Sequence, residues 1–185
     1  MTEIAKRKGG RPKMAFEQDL RLLMTYRAMG FIRPVVAAQT AATYHQLQRV
    51  FPTAGPVRLS VKGLMESASL AEMTIFYRMY LLIRRDPHQA IHLKDIFDAH
   101  VAKTAVMEAA PGLGKPQLDV NLSFLLLREV RDGGRLCRLY CEECDGAFVQ
   151  PVEHKRERCP VCRALKKAAE TAAQGRGRQT GRRSR

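Results

Sequence analysis

From Phe16 to Met29 the apolar positions Leu20, Leu23, Met24 and Met29, with Phe16 and Leu22 beside them, recur at steps of three and four residues. That spacing predicts an amphipathic helix stopped near Gly30. Pro34 suits a first helical turn, so Val35 to Gln39 reads as a short helix and Thr40-Ala41-Ala42 as the turn after it. Thr43 and Gln46 have the spacing of a capping box, in which the hydroxyl accepts a first-turn N–H while the amide reaches back. A helix starting there turns Leu47, Val50 and Phe51 inward and leaves Tyr44, His45, Gln48 and Arg49 facing out. The pair reads either as a helix-turn-helix, whose exposed side chains reach phosphates and base edges, or as a packed helical hairpin.

Pro52, Gly55, Pro56 and Gly63 mark the stretch from 52 to 63 as a connector. A long helix follows from about Glu66 to Arg85, with Leu70, Met73, Phe76, Tyr77, Tyr80 and Leu81 on one side. Ile75, Met79, Leu82 and Ile83 carry its stripe most of the way round, interrupted by Arg78, so it is central to its own domain or buried against another chain. Asp86-Pro87 ends it. Gln89 to Met107 carries a further helical pattern on Ile91, Ile96, Phe97, Val101 and Met107. A loop from 110 to 116 precedes a last periodic run, Leu118 to Arg131, on Val120, Leu122, Phe124, Leu125, Leu127 and Val130, broken by Gly133-Gly134.

Beyond that break the pattern changes from periodicity to spaced cysteines. Cys141 and Cys144 form one Cys-x2-Cys pair, Cys159 and Cys162 another, with fourteen residues between the pairs. Four thiolates so spaced suit one tetrahedral zinc ion, Zn2+. An all-thiolate shell leaves no position for water or substrate, which points to a structural ion and away from an enzyme. Cys137, four residues before Cys141, and His154, five before Cys159, each stand where they can replace one ligand. Cys137 reads as a spare thiol, because only the two pairs have matching knuckles. Lys155, Arg156, Arg158 and Arg163 lie close enough in sequence to moderate the thiolate charge. His88 and His92 sit one helical turn apart without the Glu of a zinc-protease motif, and read as ordinary surface or core histidines.

Charge sharpens the picture. The 32 Lys and Arg against 18 Asp and Glu give +14, of which residues 1–13 hold +4 and residues 163–185 hold +7. A nearly neutral body with two basic ends is the layout of a protein that meets a polyanion, most simply nucleic acid. No apolar run is long enough to span a bilayer or to act as a secretory signal, so the expected place is the cytoplasm, with no membrane partner; thiols stay reduced there and bind metal. Length and a 45% hydrophobic content allow a helical domain plus a small metal module. The expected organisation is a basic flexible arm (1–15), a mainly α helical domain with its helix-turn-helix at about 34–51 (16–134), a four-cysteine zinc module (135–165), and a basic tail, partly helical and then disordered (166–185).

In this order, a leading helix, a helix-turn-helix around Val35 to Phe51, central apolar helices, a helix running into Arg131-Asp132-Gly133-Gly134, two Cys-x2-Cys pairs and a basic end, the chain resembles the flagellar transcriptional activator FlhC family. The resemblance covers roughly Phe16 to Arg163 and is most specific from Leu125 to Phe148 into the cysteines. It implies zinc held by Cys141, Cys144, Cys159 and Cys162, and a heterohexamer of two such chains with four FlhD-like subunits. It further implies promoter DNA as ligand and activation of RNA polymerase at flagellar and other operons. DNA contacts are then expected from Tyr44, His45, Gln48 and Arg49, and from Lys155, Arg156 and Arg163. Three departures stand out: the chain has no Trp, and it adds the basic arm from Met1 to Lys13 and a longer basic tail. Two other readings remain at this point, a zinc-ribbon protein that binds RNA or ribosomes, and an assembly adaptor without base readout of its own.

Overall fold

The computed structural model describes residues 13–53, 59–84, 90–154 and 157–180, so the expected arm up to residue 12, His88, Lys155 and Arg156 lie outside the described residues. Contacts divide the chain into two units, Met1–Gly55 and Pro56–Arg185.

In the first unit, α1 (Lys13–Ala28) packs against α3 (Tyr44–Val50), with α2 (Arg33–Gln39) between them in sequence. Gly30, at φ 86°, makes the left-handed turn that ends the first helix, a conformation a side chain would strain. Leu23, Phe31, Val35, Val36, Leu47, Val50 and Phe51 are the buried apolar side chains among this unit's described residues. The expected stripe on α1 is only partly buried: Leu22 and Met24 are exposed. Arg27 donates from Nη1 to the Val50 carbonyl at 2.7 Å, satisfying one of the carbonyls left free where α3 ends.

The capping box forms as its spacing predicts. The Gln46 backbone N–H donates to Thr43 Oγ1 at 3.3 Å, and the Thr43 backbone N–H donates to Gln46 Oε1 at 2.7 Å. Thr43→Ala is expected to cost about 0.5–2 kcal/mol, read as a lower urea midpoint with an unchanged m-value.

The second unit corrects one expectation. The single helix predicted over Glu66 to Arg85 is two, α4 (Val61–Ser67) and α5 (Leu70–Ile83), and the connector expected to reach Gly63 stops at Ser60. Serine capping is the physical reason. Ser60 accepts from the Gly63 N–H at 3.0 Å and Ser69 from the Glu72 N–H at 3.1 Å, while Ala68 and Ser69 take extended backbone angles that break the chain between the helices.

Helix α5 is the centre of this unit. Residues 71–77 and Tyr80 are all buried, against α6 (Leu93–Ala109), α7 (Val120–Arg131), the second strand of a hairpin and the last helix. Its far end is different, with Leu82 and Ile83 exposed. A short 3-10 turn (Pro111–Leu113) follows α6, and Asp119 caps α7 by accepting from the Asn121 and Leu122 amides at 2.7 and 2.8 Å. Gly133, at φ 69°, and a bond from the Gly134 N–H to the Glu129 carbonyl at 2.9 Å close α7 where the glycine pair predicts.

The chain then forms an antiparallel hairpin, β1 (Leu136–Tyr140) and β2 (Ala147–Pro151), in register from Leu136 opposite Pro151 to Tyr140 opposite Ala147. All of β2 is buried and lies on α5. Helix α8 (Pro160–Thr180) starts at the second cysteine pair, and its first turns pack on α5 and the 3-10 turn. Gly112 permits that approach, since a Cβ there would stand 2.7 Å from the Cβ of Ala168.

One buried ion pair locks this unit. Lys103 on α6 and Glu72 on α5 are 0% and 1% exposed, with Nζ 2.8 Å from Oε1. The same carboxylate oxygen accepts the backbone N–H groups of Gln117 and Leu118 at 2.8 Å, and Lys103 also donates to the Leu118 carbonyl at 2.9 Å. Two helices and the segment leading into α7 are thus joined at one carboxylate. Among the described residues no helix is long and apolar enough to cross a membrane.

Candidate metal centre

The first cysteine pair lies in the hairpin loop. Cys141 follows β1, the chain turns through Glu142 to Cys144, and Asp145, at φ 53°, takes the left-handed conformation that returns it to Gly146 and β2. Asp tolerates that conformation better than most residues. The Cys141 N–H donates to the Gly146 carbonyl at 3.1 Å and the Asp145 N–H to the Cys141 carbonyl at 2.9 Å, which closes the knuckle. The second pair is a helix start: Cys159 precedes α8, Pro160 occupies its first position, and the Cys162 N–H donates back to Cys159 Sγ at 3.3 Å. A cysteine here does what an N-cap oxygen does elsewhere.

These two turns bring the Sγ atoms of Cys141, Cys144, Cys159 and Cys162 within 4.8 Å of one another, a cluster compatible with a structural metal ion. The Cys144 and Cys159 sulfurs are 3.9 Å apart, far beyond a disulfide bond and close to the ~3.8 Å edge of a tetrahedron with metal–sulfur bonds of about 2.3 Å. Neither alternative ligand joins the four. Cys137 stands in β1 with its thiol 3.6 Å from the Gln150 carbonyl, and His154 sits in the turn after β2, its carbonyl accepting from the Gln150 amide.

Electrostatics favour a cation at the centre. Burial alone raises the Cys141 thiol, but backbone N–H groups of Cys159, Glu143 and Cys144 outweigh it and bring the pKa down to about 6. Cys144 is also lowered: burial opposes, and the Gly146 N–H and the Arg78 guanidinium prevail. Cys162 moves the other way, raised by burial and then by the neighbouring Cys159 and Cys144 sulfurs. Four thiolates this close need a positive charge among them before all can ionise.

Among the described residues, a cation from far along the chain touches the sulfurs. Arg78, on α5, donates from Nη2 to Cys144 Sγ at 3.3 Å and to Cys159 Sγ at 3.5 Å, and from Nε to the Ala147 carbonyl at 2.7 Å. Its one sequence signal is a lone arginine inside an otherwise apolar helix. Arg158 and Arg163, expected near the thiolates, are exposed.

The centre is set in an apolar cluster. Cys141 and Cys159 are buried with Ala71, Ile75, Met107, Leu113, Phe148 and Val161, so α5, α6, the 3-10 turn, β2 and α8 all converge on it. The ribbon and its cysteines therefore share an interior with the central helices and belong to the same compact unit.

Of the other expected site residues, Tyr44, His45, Gln48 and Arg49 are all exposed on α3, and Arg163 is exposed on α8. Tyr44 and His45 meet edge to face, and the Arg33 guanidinium lies 5.9 Å from the Tyr44 ring centre. No protein-family model matches the chain, and no curated protein matches it.

Proposed function

We propose that the chain is a DNA-binding subunit of a transcriptional activator, non-enzymatic, holding one structural zinc ion at Cys141, Cys144, Cys159 and Cys162 and acting in the cytoplasm with a partner subunit. The observation that carries DNA reading is α3. A seven-residue helix, capped at its start and sealed on one side by Leu47, Val50 and Phe51, offers Tyr44, His45, Gln48 and Arg49 together on the other. The order of α2, turn and α3 supports the helix-turn-helix reading, and Gln and Arg are the side chains suited to bidentate contact with adenine and guanine edges. Arg163, Lys166 and Lys167, exposed on the first turns of α8, supply phosphate contacts that add affinity without sequence preference.

Zinc is favoured for the centre because four thiolates in two Cys-x2-Cys turns form a closed tetrahedral set with no open ligand position. When bound, the ion supplies charge neutralisation and cross-linking. The resemblance to the FlhC family supports the rest of the proposal: an FlhD-like partner in a two-to-four heterohexamer, promoter DNA, RNA polymerase, and flagellar and other operons as targets.

Arg49→Ala in the assembled complex tests base readout. It is expected to weaken binding to a flagellar promoter fragment by about 1–3 kcal/mol and binding to random DNA by less, in anisotropy titrations at one salt concentration. Equal losses on both DNAs would remove Arg49 from readout. Displacement of the promoter by structured RNA at equal phosphate concentration would replace the DNA reading with an RNA-binding one.

A further inference from the structure

We propose that Arg78 is a positioning residue of the metal centre: its guanidinium holds Cys144, the solvent-facing corner of the quartet, over the bound ion and ties metal occupancy to the central helix α5. The inference rests on the reading of the quartet as a metal site and goes beyond it, to which part of the fold controls how firmly the ion is kept.

Cys144 is the weak corner. Cys141 and Cys159 are buried and Cys162 is half-buried, whereas Cys144 is exposed and stands on the hairpin loop. A ligand in that position is the one most open to oxidation and to a competing chelator. Arg78 answers this directly. Nη2 donates to both Cys144 and Cys159, one sulfur from each pair, so a single rigid fork bridges the two knuckles. Nε is committed to the Ala147 carbonyl, which fixes the fork against the first residue of β2.

The sequence makes room for this arrangement. Gly146 lies directly under the guanidinium, and a Cβ there would stand 2.6 Å from Nη2 and 2.7 Å from the central carbon of the group. Any larger residue pushes Arg78 off the sulfurs. Charge argues the same way, since a divalent ion with four thiolates carries a net charge of −2, and an adjoining guanidinium offsets half of it. The donated hydrogen bonds also withdraw electron density from the two sulfurs, which lowers their reactivity.

The test uses the full chain loaded with zinc, and with cobalt(II) as a spectroscopic substitute. Transfer of zinc to a colorimetric chelator is expected to be about 10–100-fold more favourable from Arg78→Gln than from wild type. Removing the donors is expected to shift the sulfur-to-cobalt charge-transfer band to longer wavelength, and to make Cys144 the first thiol alkylated by iodoacetamide. Arg78→Lys, which keeps the charge but not the fork, is expected to recover only part of the zinc retention. Gly146→Ala, which keeps Arg78 and displaces it, is expected to change retention and band position in the same direction as Arg78→Gln. Unchanged zinc transfer and band position in Arg78→Gln, with or without a lower melting temperature, would overturn the role of Arg78 and leave the metal site standing. A wild-type chain that binds neither ion would overturn the metal reading and this proposal with it.

Discussion

Cys159→Ser is expected to abolish metal binding and to unfold the hairpin and the start of α8 together. Cys159 does four things at once in the structure: it is fully buried, its backbone N–H donates to Cys141 Sγ at 3.2 Å, its own sulfur accepts from the Cys162 N–H, and Arg78 reaches it from α5. Apparent binding free energies of structural zinc in small modules are about 10–16 kcal/mol near neutral pH. That is comparable to the roughly 5–15 kcal/mol by which a whole domain is usually stable. Because the centre shares its apolar cluster with Ile75, Met107 and Phe148, the damage is expected to spread into α5 and α6. Hydrogen exchange resolved by peptide should show protection lost first across Phe148 to Gln150 and the first turn of α8. Cys137→Ser, outside the quartet, is the control and is expected to keep its metal. A Cys159→Ser chain with full metal content and wild-type exchange would remove this residue from the ligand set.

Lys103→Met is expected to be the most damaging change away from the metal, at about 3–5 kcal/mol, because it leaves the Glu72 carboxylate charged, buried and without its counter-ion. The Gln117 and Leu118 amides would still hold that carboxylate in place, so it cannot swing to solvent without breaking the entry to α7. Adding Glu72→Gln to Lys103→Met removes the stranded charge but keeps an oxygen for the two amides. The double variant is therefore expected to be more stable than Lys103→Met alone, in a double-mutant cycle by denaturant unfolding. A second readout is His100, on the same helix, whose imidazole is held below its usual pKa by burial first and by the Lys103 charge next. Its titration in the folded Lys103→Met variant should move upward in histidine NMR spectra. A cost near zero with an unmoved His100 would contradict the network described here.

The residues that carry the most local information are the ones the sequence places best. Thr43 and Gln46 set the start of α3, and the Gly133-Gly134 pair sets the end of α7, because each signal acts on backbone only a few residues away. The cysteine spacing likewise locates the four clustered sulfurs, since knuckle turns are local. Contacts far apart in the chain are less accessible. Leu20 to Met24 reads as a single buried stripe, yet Met24 faces solvent, because periodicity gives the face of a helix and not the width of what covers it. The division of Glu66 to Arg85 at Ala68 and Ser69 depends on a serine cap hidden within an apolar pattern. Arg78, Glu72 and Lys103 show the clearest limit. Each is a charged residue in a helix whose neighbours are apolar, and only the fold reveals that one meets two sulfurs while the other two meet each other. The division of the chain between residues 55 and 56 has the same origin, since it reflects which helices share an interior with the ribbon.

The proposed zinc ion of the quartet is expected to be part of the fold, one ion per chain. Native mass spectrometry of the full chain, with metal analysis of the same sample and melting curves before and after chelation, tests it most directly. One zinc per chain is expected, with a large fall in melting temperature when the ion is removed. A metal-free chain that melts at the same temperature with and without chelator, its four thiols titrating as free cysteines, would contradict it.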